Sequence, residues 1–412
     1  MAFSEKQQEW FMNANRRWCF KEGAVRSGKT YADFFTIPKR VRARVGLSGL
    51  VFIFGVSKST IERNILEPMR TIWGDDFVGT IKADNTCRLF GETVHCLGCE
   101  KVSQVGKIRG SSIKYAYGDE VAEWNPEVFD LIKSRLDKSY SVFDGALNPE
   151  SPTHWLKAFL DSDADIYRQH YRIDDNPFLA KEVVENLKKE YAGTVYYDRY
   201  IEGRWALAEG LIYPMYQDII VDVDSCPDKP AKSVLSIDYG TMNAFACLRW
   251  DKGEDKWYCT ERYYYSGRDT GAQKTDIEYL RDIEERFADL IGQYRQSAAE
   301  RMTEKIQVII DPSAASFIAL LKRTDWAKVL PAKNDVLNGL RETATAMNTG
   351  RIAVCKTVKE FEQEAGGYVW DESTGEERPI KVNDHLMDAM RYFVMTMHIN
   401  KPQQAYRPLW AM

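Results

Sequence analysis

The sequence predicts two successive α/β domains, and two features support this prediction. In the first half of the chain, short β-rich runs alternate with helical segments, an order typical of a doubly wound domain with a parallel sheet. In the second half, three strands come first, and helices and strands alternate only after them. The chain has 412 residues and is therefore also too long for one compact core.

The composition is that of an ordinary globular protein. Hydrophobic residues make up 44% of the chain and charged residues 28%, and no apolar stretch approaches the roughly 18 residues that span a bilayer. The start, MAFSEKQQEWF, lacks the basic-then-apolar order of a signal peptide. Eight scattered cysteines without disulfide-like spacing indicate a reducing cytosol. We therefore expect no membrane partner, and the net charge of −5 gives no overall sign of a nucleic-acid partner.

The first half begins with a strand, a turn and a helix. The strand WCFKEG leads into a glycine-bearing turn, and a helix is predicted from about Thr30 to Arg44. The apolar run at residues 50–56 is typical of a buried parallel strand, and a helix is expected from Thr60. TVHCLG and IKYAYGDEV are predicted to be two further strands.

The first helix ends in a basic run of four residues, Lys39, Arg40, Arg42 and Arg44. We interpret this run as a solvated face of the helix, because closely spaced charges usually face water. A DNA-binding face is the alternative.

The domain boundary is predicted from a loss of periodicity. Residues 181–200 have a helical pattern, whereas GRWALAEGLIYP has none and is followed by the Pro- and Asp-rich stretch DVDSCPDKPAK. We therefore predict a first domain at residues 1–205, with a helical lid at about 172–205, and a linker at 206–230. The second domain is predicted to cover residues 231–412.

The second domain has the element order of an RNase H-like fold. SVLSIDYG is predicted to be a strand, and AFACLRW and KWYCTERYYY form a hairpin around the turn DKGED. A long helix at about 275–296 is followed by the buried strand IQVIIDPS. Alternating elements then lead to a last helix that starts at Asn383.

Residues 23–30 form a complete phosphate-binding loop motif, GAVRSGKT. The glycines Gly23 and Gly28 let the backbone, with Ser27, curl so that its N–H groups face a phosphate. Lys29 supplies a positive charge to the β- and γ-phosphates of ATP, and the Thr30 hydroxyl is a ligand for Mg²⁺. The helix that begins there directs its N-terminal dipole at the same anion. The alternative is a glycine-rich turn with a surface lysine.

A P-loop ATPase also needs an acidic pair at the end of a neighbouring strand. IKYAYGDE supplies Asp119 for the Mg²⁺ shell and Glu120 to orient or deprotonate the attacking water. Because charge builds up on the γ-phosphate, arginines are also expected at the site. Arg26 lies within the loop, and Arg109 precedes the acidic pair. A solvated loop is the alternative for the acids, and surface salt bridges are the alternative for the arginines.

Acidic residues in the second domain predict a metal site. Asp238 and Asp311 each follow an apolar strand, and we expect their carboxylates to converge with Asp388 of the last helix. Asp384 and His385 share a helix face with Asp388. Oxygen ligands with few histidines suit Mg²⁺ or Mn²⁺, and two such ions can cleave a phosphodiester. Each Asp alone is more often a turn former or a helix cap, and Asp384 resembles an N-cap.

The motif H-C-x-x-C at residues 95–99 is not predicted to bind zinc. A four-ligand site needs a second Cys or His pair at suitable spacing, and only Cys87 lies upstream. We predict that Cys96 and Cys99 are packed cysteines on a β-like run.

Together these motifs resemble the phage terminase large subunits of the defective-prophage and Bacillus-phage type. The resemblance covers nearly the whole chain and rests on GAVRSGKT, RGSSIKYAYGDE, ALNPESPTHW and DHLMDAMRY. It implies that Asn148 links hydrolysis to movement and that the adenine-recognising glutamine is Gln8 or its neighbour Gln7. It further implies that Arg109 reaches a neighbouring subunit. The same resemblance implies that the nuclease metal site is formed by Asp238, Asp311, His385 and Asp388, with Asp384 as an alternative fourth ligand.

The function implied by the resemblance is DNA packaging. A homo-oligomeric ring of these subunits would use ATP to move double-stranded DNA through a portal protein into the procapsid. The second domain would cut concatemeric DNA with Mg²⁺ or Mn²⁺, and a small terminase subunit would select the DNA. The expected location is the host cell cytoplasm.

Two alternatives to packaging fit the motifs less well. A P-loop helicase–nuclease of DNA repair usually has a second motor lobe, whereas a linker and a nuclease follow one α/β lobe here. A non-catalytic DNA-binding or scaffold protein is expected to lose catalytic residues, yet Lys29, Glu120, Asp238 and Asp388 are all present.

Overall fold

The computed structural model describes residues 2–108, 110–240, 244–299, 304–373 and 377–400. The chain divides into two compact units. The first contains residues 1–188 and 195–207, and the second contains residues 189–194 and 208–412. Within the described residues, no helix is long and apolar enough to cross a membrane.

The described residues before position 208 form eight α-helices and seven strands. The helices are α1 (Glu5–Asn13), α2 (Lys29–Arg42), α3 (Lys58–Ile61), α4 (Glu67–Trp73), α5 (Pro126–Arg135), α6 (Trp155–Leu160), α7 (Lys181–Tyr191) and α8 (Val195–Tyr200). The strands are β1 (Trp18–Gly23), β2 (Leu50–Gly55), β3 (Thr86–Leu89), β4 (Glu92–Gly98), β5 (Ile113–Gly118), β6 (Val142–Leu147) and β7 (Ile166–Tyr171). A π-helical turn at Glu62–Leu66 joins α3 to α4.

The seven strands form one sheet in the order β3-β4-β2-β5-β6-β1-β7. All neighbouring pairs are parallel except β3 and β4. Five of the six residues of β2 are buried, which explains the continuous apolar run LVFIFG, because helices cover both faces of a parallel sheet. The predicted doubly wound α/β domain is therefore confirmed. One expectation was wrong, because β6 lies between β1 and β5, which we expected to be neighbours.

The basic run at the end of α2 is only partly a solvated face. Lys39 and Arg42 are exposed, as expected. The Arg40 guanidinium, by contrast, donates to both oxygens of the buried Asp144, at 2.9 and 3.2 Å. Arg44 is buried and donates to backbone carbonyls on other segments. These two arginines therefore stabilise the fold.

A buried ion pair joins the first strand to the helix that follows the phosphate loop. Lys21 Nζ of β1 lies 2.6 Å from Asp33 Oδ1 of α2, and neither side chain is exposed. The Tyr117 hydroxyl donates to the other Asp33 oxygen at 3.0 Å, and the Lys21 ammonium lies 3.4 Å from the centroid of the Trp10 ring. Each charge is therefore compensated inside the domain, as a buried charge must be.

Removing one partner of this pair is expected to destabilise the protein strongly. Lys21→Met leaves the Asp33 carboxylate buried without its cation, which should lower the free energy of unfolding by about 3–5 kcal/mol. Urea unfolding followed by circular dichroism measures this loss. The double variant Lys21→Met/Asp33→Leu should lose less, since it removes both charges, and the exposed control Lys39→Met should change little. A Lys21→Met protein as stable as the control would contradict this account.

The remaining elements follow residue 208. The strands are β8 (Ile220–Val221), β9 (Ser233–Asp238), β10 (Ala244–Lys252), β11 (Trp257–Ser266), β12 (Ile306–Ile310), β13 (Ala327–Pro331) and β14 (Ile352–Cys355). The helices are α9 (Gly267–Thr270), α10 (Asp276–Arg286), α11 (Ala288–Ala299), α12 (Ala315–Leu321), α13 (Val336–Asn348), α14 (Glu360–Gly367) and α15 (His385–Met397). The long helix expected at 275–296 is thus two helices, which meet at Phe287.

The second sheet has the order β13-β12-β9-β10-β11-β14-β8. Strands β9, β10 and β11 are antiparallel, and β12 and β13 add to β9 in parallel. Three antiparallel strands flanked by parallel strands are the predicted RNase H-like arrangement, which is confirmed. Helix α15 packs on this sheet, where Phe393 stacks on Trp250 at 4.2 Å. The end of β9 lies beside the start of α15, where His385 contacts Asp238, whereas Asp311 after β12 contacts Tyr392 further along the helix.

The cysteines of the H-C-x-x-C motif are packed inside the first unit. Cys87 and Cys96 are buried on the antiparallel pair β3 and β4, with their sulfur atoms 3.8 Å apart. Cys99 is buried in a different apolar cluster, beyond the end of β4. Burial raises the pKa of the Cys99 thiol, which disfavours the thiolate that a metal would need.

Candidate functional site

The phosphate loop connects the end of β1 to the start of α2. Gly23 ends the strand with a φ of 144°, and a Cβ there would lie 2.0 Å from the Tyr171 carbonyl oxygen. Gly28 has a φ of 85° and is the N-cap of α2, whose first residue is Lys29. Both positions need glycine for these reasons. The loop therefore presents the N-terminus of a 14-residue helix to the adjacent cavity.

Hydrogen bonds from three other segments fix the loop backbone. The amides of Ala24 and Val25 donate to the carbonyls of Tyr171 and Tyr200, at 2.8 and 3.0 Å. The Asn176 amide donates to the Arg26 carbonyl at 2.7 Å. Within the loop, the Ser27 hydroxyl donates to the carbonyl of Ala24 at 2.8 Å. Contacts within the protein therefore hold the loop in its curled shape.

Lys29 points into the loop and towards the end of β6. Its ammonium donates to the carbonyls of Gly23 and Ala24, at 2.9 and 2.5 Å, and to Asn148 Oδ1 at 3.1 Å. Burial lowers the pKa of Lys29 to about 7, and the negative charge of Asp119 opposes this shift. Asn148 follows β6 directly, so the inserted strand places its side chain between the loop and the acidic pair.

Asp119 and Glu120 follow β5 at the same edge of the sheet. Asn64, on the π-helical turn, donates to Asp119 Oδ2 at 3.3 Å. Burial, and then the neighbouring negative charge of Glu120, raise the pKa of Asp119 to about 7. Burial also raises the pKa of Glu120, which has a left-handed φ of 53°, rare for a residue other than glycine. Such local strain is common at functional sites.

The phosphate loop, the Asn148 amide and the acidic pair Asp119 and Glu120 surround one cavity of about 460 Å³. The lining includes Arg26, Lys29, Thr30, Asn64, Asp119, Glu120 and Asn148. Hydroxyl and carboxylate oxygens are the ligands that Mg²⁺ prefers, so the donor set of Thr30 and Asp119 fits this ion. The cavity combines a cation and a helix N-terminus, which suit the phosphates of a nucleoside triphosphate, with an acidic pair, which suits its metal ion and the attacking water.

Gln7, rather than Gln8, contacts the phosphate loop. The Gln7 amide donates to the Gly28 carbonyl at 3.0 Å, and its oxygen accepts from the Ser4 backbone amide at 3.0 Å. The Gln8 amide donates to the Phe3 carbonyl, which lies just before the same helix. The structure thus places Gln7 rather than Gln8 at the phosphate loop, because adjacent positions on a helix face different directions. Which glutamine recognises adenine stays a prediction.

Of the two arginines predicted for the ATPase site, the structure describes only Arg26. Arg26 is exposed at the rim of the cavity and has a left-handed φ of 56°. Arg109 lies outside the described residues, so its role stays a prediction.

In the second unit, a cavity of about 300 Å³ lies where β9 ends and α15 begins. Its lining includes Asp238, Asp384, His385, Asp388, Lys381 and Tyr264. His385 Nδ1 lies 2.8 Å from Asp238 Oδ2, and the Ala244 backbone amide donates to His385 Nε2 at 3.3 Å. Because Nε2 accepts a hydrogen bond, Nδ1 carries the proton that Asp238 accepts. His385 in this arrangement therefore orients Asp238 and is not placed to be a metal ligand.

Cations hold both oxygens of Asp388. Arg391 donates to Oδ1 at 2.9 and 3.2 Å, and Lys381 donates to Oδ2 at 2.8 Å. The same lysine lies 2.9 Å from Asp384 Oδ2. Asp384 is at the N-cap position, as predicted, but its side chain makes no capping hydrogen bond. The ammonium of Lys381 therefore lies between the carboxylates of Asp384 and Asp388, at a position of negative electrostatic potential.

Asp311 does not line this cavity with the other acids. Its Oδ1 accepts from the Ser313 backbone amide at 2.7 Å, and Oδ2 accepts from Asn334 and Tyr392, at 3.2 and 3.4 Å. The structure does not bring Asp311 to the cavity that Asp238 and Asp388 line, and a metal site shared by all three stays a prediction. Within the described ranges, no three Asp, Glu, His or Cys side chains are close enough to hold a metal ion. The physical reason is that Asp311 caps its own turn while Lys381 and Arg391 neutralise Asp388.

The donor chemistry nevertheless fits Mg²⁺ or Mn²⁺. Asp238, Asp384 and Asp388 offer hard carboxylate oxygens around one cavity, and the ammonium between two of them marks a position of negative potential. These three residues are the candidate ligands, although their carboxylates do not converge in this arrangement. Burial raises the pKa of Asp238, and its hydrogen bond with His385 opposes this shift.

Comparison with known proteins identifies the family. The large terminase of a thermophilic bacteriophage is 33% identical in sequence, and the match covers 97% of this chain and 100% of that protein with a TM-score of 0.82. The chain belongs to the phage large terminase family. A family model described as the N-terminal part of the T4likevirus-type terminase large subunit matches residues 22–217 of this terminase. The predicted family is confirmed.

Two further comparisons agree with this assignment. The same thermophilic-phage large terminase, solved in complex with ATP-gamma-S, is 32% identical, with a TM-score of 0.78 over 96% of this chain and 100% of that one. The terminase large subunit of Escherichia phage T5 is 23% identical over 324 residues, which are 73% of this chain and 69% of that protein.

Three residues at or beside the two cavities of this terminase were not predicted from the sequence. Asn64 lies on a π-helical turn, and Lys381 lies in a loop before α15. Glu364 is buried and accepts the backbone amide of Leu386 at 2.7 Å, so it caps the N-terminus of α15. The only local signal was the spacing of Lys381, three residues before Asp384 and seven before Asp388.

Proposed function

We propose that this terminase hydrolyses ATP at the cavity between the phosphate loop and the acidic pair. The observation that carries the proposal is the meeting of Lys29, Asn148 and Asp119 at one sheet edge, around a cavity of about 460 Å³. The thermophilic-phage large terminase, solved with ADP and with ATP-gamma-S, supports it, because that protein shares about a third of this sequence.

Each group in the cavity has a role in phosphoryl transfer. Lys29 and the N-terminus of α2 bind the phosphates, and Thr30 and Asp119 would hold Mg²⁺, which neutralises phosphate charge when bound. Glu120 orients or deprotonates the attacking water, and Arg26 adds positive charge at the rim. Gln7 is the better candidate for adenine recognition, since it is hydrogen-bonded to the loop. Arg109 is proposed to reach a neighbouring subunit.

A conservative change at Glu120 tests the ATPase proposal. Glu120→Gln keeps the side-chain shape but removes the base, so ATP should still bind while hydrolysis slows by about 100-fold or more. Binding is measured with a fluorescent ATP analogue and hydrolysis by phosphate release. Glu127→Gln, exposed in the first turn of α5, is the matched control and should behave as wild type. If Glu120→Gln fails to bind nucleotide, or hydrolyses it normally, Glu120 has another role.

We further propose that the second unit cuts DNA with a divalent metal ion. Asp238, Asp384 and Asp388 would hold Mg²⁺ or Mn²⁺, which when bound activates water and stabilises the leaving oxygen of a phosphodiester. His385 orients Asp238 through its Nδ1 proton, and Arg391 fixes Asp388. Asp311, which is linked to α15 through Tyr392, is proposed as a more distant member of the site.

We propose DNA translocation and ring assembly for this protein because it belongs to the phage large terminase family. A ring of these subunits on a portal protein would couple ATP hydrolysis to the entry of double-stranded DNA into the procapsid. Asn148 is proposed to transmit hydrolysis to movement, because it contacts Lys29 from the strand between the loop and the acidic pair. A small terminase subunit would select the DNA, and the host cell cytoplasm is the proposed location.

A further inference from the structure

Lys381 lines the acidic cavity in the second unit and contacts two of its aspartates. Its ammonium lies 2.8 Å from Asp388 Oδ2 and 2.9 Å from Asp384 Oδ2. Both aspartates are largely buried, with relative exposures of 7% and 6%. One ammonium is therefore shared by two carboxylates that little water reaches, and Arg391 supplies a second positive charge at Asp388.

The two cations at Asp388 differ in how firmly they are held. Arg391 is 2% exposed, lies one turn further along α15 and also donates to the Asp335 carbonyl at 3.3 Å. The Lys381 side chain is 54% exposed and precedes α15 in a segment without helix or strand. A half-exposed lysine on an irregular segment moves away at much lower cost than a buried arginine.

A divalent cation needs the oxygen that Lys381 holds. Arg391 donates to Asp388 Oδ1, which leaves Oδ2 as the oxygen of that carboxylate that can bind a metal ion. Lys381 donates to this same Oδ2. An ammonium 2.8 Å from Oδ2 and a metal ion bound to the same oxygen would repel each other strongly in this buried site. Binding of the metal therefore requires Lys381 to leave.

We propose that Lys381 is an internal counter-ion of the acidic site and sets its affinity for divalent cations by competing with them. Without a metal ion it balances, together with Arg391, the charges of Asp384 and Asp388, and a bound metal displaces it. This inference rests on the proposed metal site of the second unit. It makes Lys381 a residue that controls metal loading rather than a ligand or a catalytic group.

Calorimetric titration of the full chain with Mn²⁺, without nucleotide, tests the proposal. Lys381→Gln removes the competing charge, and we expect Mn²⁺ to bind about five- to tenfold more tightly than to wild type, because a partly exposed ion pair of this kind contributes little more than about one factor of ten. Lys381→Arg keeps a cation and should bind no more tightly than wild type. Lys328→Gln, an exposed lysine on β13, is the control for the same change in net charge.

Asp388→Asn separates this proposal from the proposed metal site. The part of the Mn²⁺-binding heat that is lost in Asp388→Asn comes from binding at the acidic cavity, whereas heat that remains comes from other sites such as the phosphate loop. If the heat from the acidic cavity is present in wild type but Lys381→Gln binds Mn²⁺ equally or more weakly, the counter-ion proposal is overturned and the metal site stands. If wild type and Asp388→Asn bind Mn²⁺ alike, the metal site itself fails, and the role of Lys381 fails with it.

Discussion

Replacing Lys29 by alanine is expected to lower steady-state ATP hydrolysis by at least about a hundredfold. In the free protein its ammonium bridges the loop carbonyls and Asn148, and with nucleotide bound it would face the β- and γ-phosphates. Removal of one preorganised charge from a transition state that gathers negative charge typically costs two to three orders of magnitude, about 10²–10³. Phosphate release measured at saturating ATP and Mg²⁺ gives the result directly.

Lys39→Ala is the matched control, since Lys39 is an exposed lysine in the last turn of the same helix. It should hydrolyse ATP at the wild-type rate. Circular dichroism and thermal unfolding of both variants establish that the fold is intact. A folded Lys29→Ala protein with near-normal turnover would show that the phosphate loop is not the site of hydrolysis.

Asp388→Asn is expected to abolish metal-dependent DNA cleavage and to leave ATP hydrolysis unchanged. The amide oxygen can still accept from Arg391, whereas the negative charge that holds a divalent cation is lost. Asparagine is preferred to alanine here, because alanine would remove every side-chain acceptor that Asp388 offers the buried Arg391 and destabilise the helix. Conversion of supercoiled plasmid DNA in Mg²⁺ or Mn²⁺ measures cleavage, and phosphate release measures the ATPase.

Asp255→Asn, in the exposed turn between β10 and β11, is the control for loss of one carboxylate in the second unit. It should cut plasmid DNA as wild type does. Normal cleavage by Asp388→Asn would remove this aspartate from the nuclease. Loss of both activities in the folded variant would mean that the two sites are not independent.

Local patterns were sufficient to predict most of the fold. Buried parallel strands give unbroken apolar runs, and the hairpin of the second unit has a clear turn between two β-rich runs. The position of β6 between β1 and β5 was not predictable in this way, because strand order depends on contacts between residues far apart in sequence. The break at Phe287 was missed because helical periodicity continues across it.

The phosphate loop was predictable because its chemistry is contained in eight consecutive residues. Asn64 was not, because it meets Asp119 only through packing of a π-helical turn against another strand. Gln7 and Gln8 are adjacent and chemically identical, so only the orientation of α1 distinguishes them.

The acidic site was only partly predictable, because its charges depend on partners far along the chain. Strand ends placed Asp238 correctly beside the last helix, but they did not reveal that Asp311 prefers the backbone of its own turn. The same holds for Arg40 and Arg44, which look like solvated charges and in fact bind buried partners. Charged residues are ambiguous in sequence, since the energy of a charge depends on which partners the fold supplies.

The most direct test of the central claim is a packaging assay with procapsids of the matching phage, linear double-stranded DNA and the small terminase subunit. DNA that becomes resistant to added nuclease is measured with and without ATP. We predict ATP-dependent protection with wild type, none with Lys29→Ala, and near-normal protection with Asp388→Asn, since linear DNA needs no initial cut. Failure of wild type to protect DNA, or equal protection by Lys29→Ala, would contradict an ATP-driven packaging motor.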